Sequence, residues 1–299
     1  MASSSRVRIA YRVAGSTDPW SVLRRTNDGL SIGTETQRSE DVRDDRLRSG
    51  QKTTTVTVGG TLDFEFNAAN LDIFIAAAMC ADWTANVINV GTTVKLFDIL
   101  KSYMDTGDNF LFQDCVVGEM SLSMEAGQKV TGQLNFMGEA YDADYDATGD
   151  TFTQPTDTLF MDSSNNLGTF QIDGAPVTGM CFTAMSLAIN NGYQTDQCLG
   201  ELNQRHWVGS ADITGSKTVR LSAAGLDLWR NTITSTPIAS SWVLTDGDYS
   251  YTFDIGRLFL SGALPSGGLD TILTIPLDFV VAEDGNSTML TITRTVPAP

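Results

Sequence analysis

Carboxylate pairs that could supply a general acid and a general base occur twice in this sequence, at Asp63/Glu65 and at Glu119/Glu125. Two carboxylates are enough for glycoside hydrolysis, provided that one of them sits in a pocket that raises its pKa. Both pairs lie at alternating positions of segments that read as regular strands, opposite the apolar residues. This pattern favours a solvated strand face, so a hydrolase on a β scaffold is the weakest of three functional interpretations.

A second group of acidic residues begins like a calcium-binding loop. Asp142, Asp144 and Asp146 have the DxDxD spacing, but Ala147 and Thr153 stand where an EF-hand requires Gly and Glu. The sequence therefore favours a solvated acidic linker, with a looser cation site as the alternative.

Histidine and cysteine chemistry has little support. The single histidine, His206, nearly removes His-based zinc sites and leaves any Ser-His-Asp triad dependent on one residue. The four cysteines are far apart and form no CxxC pair, which predicts buried free thiols: Cys80, Cys115, Cys181 and Cys198. P-loop, GxGxxG, GxSxG and HExxH motifs are absent from the sequence. We therefore predict no catalytic residue, no metal and no cofactor, and do not expect an enzyme.

The charge is strongly negative and unevenly distributed. The 299 residues carry a formal net charge of −17, and between Ser102 and Gly200 the only base is Lys129. Such a surface repels phosphate, which disfavours sequence-specific binding of nucleic acid. The N-terminus shows no signal-like apolar segment, and the longest apolar run, Ile73–Ala81, is too short to span a bilayer. We expect a soluble protein with no membrane association.

One segment mixes both signs of charge densely. Protein–protein ion pairing suits this pattern better than a nucleic-acid arm, because the acids cancel most of the field, although an ordinary solvated loop stays open. Its charged residues are Glu35, Arg38, Glu40, Asp41, Arg43, Asp44, Asp45, Arg46 and Arg48.

Strand patterns dominate the elements that must position these groups. Alternating or β-branched segments predict strands at 53–58, 62–66, 119–125, 129–136, 273–280 and 289–293. Within them, Pro276 indicates an edge or a bulge. Two helices are predicted, Ala68–Cys80 capped by Asn67 and Ala223–Thr234 capped by Ser222. The fold class is mainly β.

The sequence repeats itself. Residues 60–74 (GTLDFEFNAANLDIF) align without a gap to residues 215–229 (GSKTVRLSAAGLDLW). Three shorter matches occur in the same order along the two halves, the first before the long match and the other two after it: 30–32 with 187–189, 97–99 with 253–255, and 134–136 with 277–279. Their collinearity predicts two β domains, 1–150 and 165–299, joined by an acidic linker at 151–164.

The polar faces of the predicted strands suggest a use for such a repeat. Small hydroxyls with scattered carboxylates make a hydrophilic wall past which a polyanion could slide without sticking. Repeated sheets curved around an axis would pair their edges between neighbours. The residues predicted to line such a lumen are Asp63, Glu65, Glu119, Ser121, Ser123 and Glu125.

At this point the sequence shows a family resemblance. The most specific segments are MSLSMEAGQKVTGQLNFMGEA (120–140) and the stretch from LTDGD (244–248) to LTITR (290–294). With RVRIAYR, LSIGTETQRSEDVRDDR, TVTVGGTLDFEFNAANLDIFIAAAM and TVRLSAAGLDLW, they resemble the tail tube proteins of bacteriophages with long, non-contractile tails. The resemblance covers nearly the whole chain in order.

The resemblance implies two tandem β-sandwich or barrel domains, each with a flanking helix. Such subunits form rings that stack around a tape-measure protein, between tail terminator and distal tail proteins, and the lumen conducts DNA. Single-domain relatives form hexameric rings, so a two-domain chain would need three copies, and the loop 35–48 would connect successive rings. The location implied is the virion tail, assembled in the host cytoplasm.

The alternative function is a virion or cell-surface adhesin, a binding module of β-sandwich type. The lack of a signal and the scarcity of aromatic clusters weigh against it. Monomeric behaviour with affinity for a glycan or a receptor would favour it.

Overall fold

The chain is mainly β in a computed structural model that describes residues 6–265, 269–286 and 288–297. The strands of the first half are β1 (Val7–Val13), β2 (Trp20–Val22), β3 (Asn27–Asp28), β4 (Ser31–Arg38), β5 (Gln51–Glu65), β6 (Val87–Asn89), β7 (Phe97–Tyr103), β8 (Asp108–Glu125), β9 (Thr131–Gly138), β10 (Ala140–Asp142) and β11 (Phe152–Thr153). Those of the second half are β12 (Gln171–Ile172), β13 (Ala175–Pro176), β14 (Phe182–Asn190), β15 (Gln194–Asp196), β16 (Arg205–Trp207), β17 (Asp212–Arg220), β18 (Ile238–Asp246), β19 (Tyr249–Ser261), β20 (Thr274–Val281) and β21 (Thr291–Thr295). The helices are α1 (Asp72–Ala78) and α2 (Ala223–Thr234).

A single antiparallel sheet runs through both halves of the chain. Its strand order is β4–β5–β9–β8–β14–β17–β20–β19. The two halves meet between β8 and β14, where Glu119 pairs with Asn190 and Glu125 with Ala184. Apolar and polar residues alternate along these strands, so one face of the sheet packs on the core and the other face is polar.

Further strands build the opposite layer. The first part of β8 pairs with β7, which pairs in turn with β1, and β18 pairs with the first part of β19 in the same manner. The ladder between β8 and β9 shifts register between Val117 and Glu119, where the two parts of β8 meet. The long strand β8 therefore pairs first with β7 and then with β9, and β19 pairs first with β18 and then with β20.

The core lies between these layers and is continuous over both halves. In the first half, the ring of Phe74 packs 4.6 Å from Tyr11 and 5.6 Å from Phe136, measured between centroids. In the second half, Trp242 stacks on Phe253 at 5.3 Å. A shared apolar core gives the two halves a common source of stability.

The repeated segments adopt the same strand register. Gly60 pairs with Phe136 in the first half, and Gly215 pairs with Phe279 in the second. The match of 134–136 with 277–279 thus joins equivalent strands, β9 and β20. The match of 97–99 with 253–255 is wrong, because these residues lie in β7 and β19. The strand equivalent to β19 is β8, and its Phe110 corresponds to Phe253.

Of the two predicted helices, one has the predicted bounds and the other does not. α2 occupies the predicted residues, and the Ser222 hydroxyl accepts the Gly225 N–H as an N-cap. α1 begins only at Asp72, so the predicted start at Ala68 is wrong. Ala69 has a φ of 68° and donates its N–H to the Tyr251 hydroxyl, which is incompatible with a helix at this point.

The acidic segment between the halves is packed rather than simply solvated. β11 pairs in parallel with β2, and the Trp20 indole donates a 2.9 Å hydrogen bond to Asp150. Met161 is fully buried and its N–H donates to the Phe66 carbonyl. The division into 1–150, 151–164 and 165–299 stays a prediction.

The cysteines are free, but only two of them are buried. Cys80 and Cys115 lie in the core, whereas Cys181 and Cys198 are exposed, so the prediction of four buried thiols is wrong for the latter two. β20 is not an edge strand, as Pro276 had indicated, because it pairs with β17 and with β19; Pro276 itself pairs only with Thr218 of β17 and lies beyond the residues that pair with β19. None of the helices within the described residues is both long and apolar enough to cross a membrane.

Candidate functional site

The polar surface of the main sheet collects all six residues predicted to line a lumen. They alternate with buried residues along β5 and β8, so their side chains share one face. We call this surface the polar face: Asp63, Glu65, Glu119, Ser121, Ser123, Glu125 and Thr131 from the first half, and Ser186, Ala188, Asn190, Asp212, Thr214, Ser216, Thr218, Arg220, Ser261 and Asp278 from the second.

Strand register aligns the members of this face in rows. One row runs from Glu65 through Thr131, Ser123, Ser186 and Ser216 to Asp278 and Ser261. Because every step in it is a direct cross-strand pair, neighbouring side chains lie about 5 Å apart. The Ser186 and Ser216 hydroxyls are 2.9 Å apart and share a hydrogen bond. This row is a continuous band of hydroxyl and carboxylate groups.

Two carboxylates of the polar face have local partners. Asp63 accepts hydrogen bonds from Gln133 at 2.6 Å and from Asn27 at 3.1 Å. Glu65 forms an ion pair with Lys129, with a distance of 2.6 Å between Nζ and Oε1. The negative charge of the face at Glu65 is therefore partly offset. The exposed Lys129 limits what this carboxylate contributes to repulsion.

The sequence interpretation named only the first-half members of this face. Ser186, Thr214, Ser216 and Asp278 belong to it because β14, β17 and β20 continue the sheet beyond β8. The repeat offset could have found them, since β17 matches β5 residue by residue. Thr55, earlier in β5, donates its hydroxyl to the Gln197 side chain at 3.0 Å.

The densely charged segment forms the end of a hairpin that projects from the sheet. Glu35 and Arg38 lie in β4, and the connection to β5, residues 39–50, is exposed along its length apart from Ser39. We call residues 39–50 the arm. It contains Glu40, Asp41, Arg43, Asp44, Asp45, Arg46 and Arg48, so the predicted loop 35–48 is part strand and part loop.

The arm has its own internal ion pair. Arg43 donates to both carboxylate oxygens of Asp45, at 3.1 and 2.7 Å, and this contact lowers the pKa of Asp45 below its usual value. Ser49 donates to Asp41 at 3.2 Å. Val42 is wholly exposed and Leu47 is 64% exposed. A loop that presents exposed apolar and charged side chains together is suited to contact with another protein.

The second half has a different structure at the position of the arm. The connection between β14 and β17 carries β15 and β16 and folds back onto the first half. Val56 donates its N–H to the Leu202 carbonyl, and the His206 N–H donates to Glu139. The only histidine therefore serves a contact between the halves, and the arm has no equivalent within the described chain.

The part of the chain that the structure describes contains no cluster of side chains that could bind a metal ion. Within residues 6–265, 269–286 and 288–297, three or more His, Cys, Asp or Glu side chains never converge as metal ligands would. Asp142 and Asp146 instead accept the N–H groups of Asp144 and Thr148. These carboxylates are occupied by local turns.

Comparison with known proteins gives one match. The family model described as phage tail tube protein matches residues 3–281, which is nearly the whole chain. A comparison with curated proteins found no match.

Proposed function

Because the chain belongs to the phage tail tube protein family, and so to a family of structural virion proteins, we propose that it forms closed rings that stack into a DNA-conducting tube. The tail is that of a phage with a long, non-contractile tail. Other tail components complete the assembly: a tape-measure protein inside the tube, and tail terminator and distal tail proteins at its ends. Assembly takes place in the host cytoplasm.

One observation carries this proposal, namely the sheet that continues across both halves. The strands β4, β5, β9 and β8 are followed by β14, β17, β20 and β19, with the same register at Gly60 and at Gly215. One chain therefore contributes two like sectors of a curved wall. A wall of like sectors closes when its last edge meets its first.

Dimensions favour three chains in a ring. Three chains supply about 24 strands, and such a barrel has a backbone diameter of roughly 48 Å at a spacing of about 4.8 Å and a tilt of about 40°. Two chains give roughly 32 Å by the same relation. Side chains that point inward reduce the free diameter of the two-chain ring, so that its lumen is hardly wide enough for hydrated duplex DNA. Three chains also reproduce the sixfold wall that the family resemblance implies.

The polar face lines the lumen of this ring. Its hydroxyls and carboxylates offer a moving phosphate backbone few attractive contacts, because each Lys or Arg would add a site at which counterions are released and the DNA is held. The apolar opposite face is already buried against the second layer. The polar face is therefore the surface that is free to meet the lumen.

The arm connects one ring to the next. Its paired Arg43 and Asp45 and its exposed Val42 and Leu47 provide both polar and apolar contact. Each ring of three chains then has three arms, because the second half of the chain lacks one.

Electron microscopy of the purified protein at high concentration tests the proposal. We expect hollow rings or tubes whose walls show a sixfold pattern with threefold modulation, because the two halves differ. Native mass spectrometry should give a ring of three chains of 32.3 kDa each. Hollow hexamers of the full chain would keep the tube and overturn the stoichiometry. Compact monomers at every concentration would contradict ring formation.

A further inference from the structure

A cavity opens between the two halves of the chain, with a volume of about 140 Å³. Its walls come from β8, from β14 and from the segment that joins the halves. The apolar residues that line it are Met124, Leu167, Phe170, Phe182 and Met185. We call it the junction cavity. An apolar cavity of about 150 Å³ can hold a molecule of benzene, so the junction cavity has room for one aliphatic side chain.

The apolar walls of the junction cavity are held in place from both halves. Met124 of β8 and Met185 of β14 form a direct cross-strand pair, and both are buried. The ring of Phe170 stacks on that of Phe182, with 4.5 Å between the centroids. The thioethers can adapt to the shape of a group that enters, whereas the stacked rings form a fixed wall. The cavity is therefore a preformed site for an apolar group.

The rim of the junction cavity is polar and carries a carboxylate. Glu125 is exposed at the end of β8, where the cavity meets solvent. The Ser163 hydroxyl donates to the Glu125 carbonyl at 2.6 Å and accepts the Gly127 N–H at 3.0 Å. These bonds hold the turn after β8 against the segment that joins the halves. An apolar interior with a negative charge at its edge suits an apolar side chain that has basic neighbours.

The arm presents such a side chain. Leu47 is 64% exposed and lies between Arg46 and Arg48, which are exposed as well. Val42, the other apolar residue of the arm, instead has neighbours whose charged groups already bond to other residues of the arm. Charge complementarity with the rim therefore favours Leu47 as the residue that enters.

The arm and the junction cavity lie at opposite ends of the main sheet. β5 begins next to the arm and ends at Glu65, which is aligned through Thr131 with Ser123, the neighbour of Met124. The 15 residues of β5 separate these ends by roughly 50 Å at about 3.3 Å per residue. As a hairpin, residues 39–50 reach at most about 20 Å. An arm is thus too short to fill the cavity of its own chain.

Each chain offers one arm and one junction cavity. The arm has no equivalent in the described second half, and the cavity needs walls from both halves. A group at one end of a molecule that fits a pocket at the other end makes a heterologous contact, which adds copy after copy in one direction. Growth of this kind is what a stack of rings requires.

We propose that Leu47 of one chain enters the junction cavity of a second copy of this chain in the next ring, with Arg46 and Arg48 beside Glu125 at the rim. The inference rests on the proposed function, since it specifies the surface that receives the arm. The contact removes an exposed leucine and an open apolar cavity from water together, so both partners contribute to its stability.

The first test shortens the side chain that enters the cavity. We expect Leu47→Ala to raise the lowest protein concentration at which tubes form by about tenfold, because the buried apolar area is lost. Isolated rings and their melting temperature should not change, because Leu47 is exposed in the single chain. Val42→Ala in the same loop is the matched control and should change this concentration less than about threefold. Tubes from Leu47→Ala at the normal concentration would overturn the proposal.

The second test locates the contact. In a Cys181→Ser/Cys198→Ser background, Leu47→Cys with Ala184→Cys should crosslink on mild oxidation, because Ala184 lines the cavity. The crosslinked species should extend beyond three chains, since the contact continues from ring to ring. Leu47→Cys with Ala188→Cys is the control, because Ala188 lies about 13 Å further along β14, beyond the reach of a disulfide. Equal crosslinking of both pairs, or a ladder that stops at three chains, would contradict the contact.

The outcomes separate this contact from the function. Tubes that form without the Leu47/Ala184 crosslink would overturn the contact and leave the tube proposal standing. Loss of tubes but not of rings in Leu47→Ala, together with selective crosslinking at Ala184, would support it. If the unmodified chain forms neither rings nor tubes at any concentration, the proposed function fails and the contact fails with it.

Discussion

Lys217 shows how one residue departs from the repeat. It occupies the position of Leu62, since Leu62 pairs with Leu134 and Lys217 pairs with the equivalent Leu277. Its side chain is buried and surrounded by aromatic rings, and its Nζ is 2.6 Å from the Ser240 hydroxyl. Burial lowers the pKa of Lys217 from 10.5 to about 7. The second half therefore has a buried ionisable amine where the first half has a core leucine.

Replacing this lysine should stabilise the chain. We expect Lys217→Met to raise the free energy of unfolding at pH 7 by roughly 4 kcal/mol, less the cost of leaving the Ser240 hydroxyl unpaired. Urea denaturation measures this change. Leu62→Met at the equivalent position is the matched control and should change stability by less than about 1.5 kcal/mol. A destabilised Lys217→Met variant would mean that the hydrogen bond to Ser240 outweighs desolvation.

The same group predicts a pH dependence. Because the folded pKa of about 7 lies below the unfolded value of 10.5, the unfolded chain binds more protons between these values. The stability of the unmodified chain should therefore rise with pH across this window, by up to about 1.4 kcal/mol per pH unit. Denaturation curves at pH 7 and pH 9 should show the rise in the unmodified chain and a smaller slope in Lys217→Met. Equal slopes would contradict the assignment.

A polar cluster at the contact between the halves gives another prediction. The Tyr251 hydroxyl donates to Asp72 at 2.7 Å and accepts the Ala69 N–H at 2.9 Å, and burial raises the pKa of Asp72. Tyr251→Phe leaves both groups without this partner. We expect a loss of about 1–2 kcal/mol in unfolding free energy, with Tyr249→Phe on the same strand as the control. An unchanged melting temperature would show that water replaces the hydroxyl.

Among the segments of the chain, the arm is exposed along nearly its whole length. It follows β4 and precedes β5, and its hydrogen bonds within the described residues stay inside the hairpin, such as the bond from the Ser39 N–H to the Gly50 carbonyl. The connection at the equivalent place in the second half instead bonds to Val56 and Glu139. An exposed, internally paired loop without a structural task is a suitable contact for a neighbouring ring.

Shortening the arm should separate ring formation from stacking. We expect replacement of residues 40–49 by Asn-Gly to leave isolated rings intact and to abolish tubes in electron micrographs, because the hairpin can close through a two-residue turn. Exchanging the charges, Arg43→Asp with Asp45→Arg, keeps the ion pair and is the control. Long tubes from the shortened chain would remove the arm from the stacking contact.

The molecule as a whole combines a net charge of −17 with a polar face that carries several carboxylates. Repulsion from this wall should matter for passage of DNA and not for folding. We expect Asp63→Lys, Glu65→Lys and Glu119→Lys together to leave tube assembly unchanged and to impair DNA delivery, measured as infectivity per particle. Charge reversal at Asp144, Asp157 and Asp248, outside the polar face, is the matched control. Normal infectivity of the first variant would contradict the lumen assignment.

Local patterns were enough to predict much of this fold. Alternation located the strands around Asp63 and Glu119 and the face they share, and Ser222 marked the start of α2 correctly. Both signals depend on neighbours in the chain: a strand alternates with a period of two, and an N-cap needs one side chain beside the helix. The repeat was also visible, because equal registers require equal residues at close contacts such as Gly60 and Gly215.

Other features depend on contacts between distant residues, and local patterns could not predict them. The start of α1 is shifted by the Tyr251 hydroxyl, which bonds to Ala69 from 182 positions away. The pairing of β8 with β14 joins the halves into one sheet, and nothing in either strand alone names its partner. Backbone N–H and C=O groups are the same in almost every residue, so their hydrogen bonds do not determine which strands pair. The packing of the complete core determines it. For the same reason, only the folded chain shows which of its described strands have an unpaired edge.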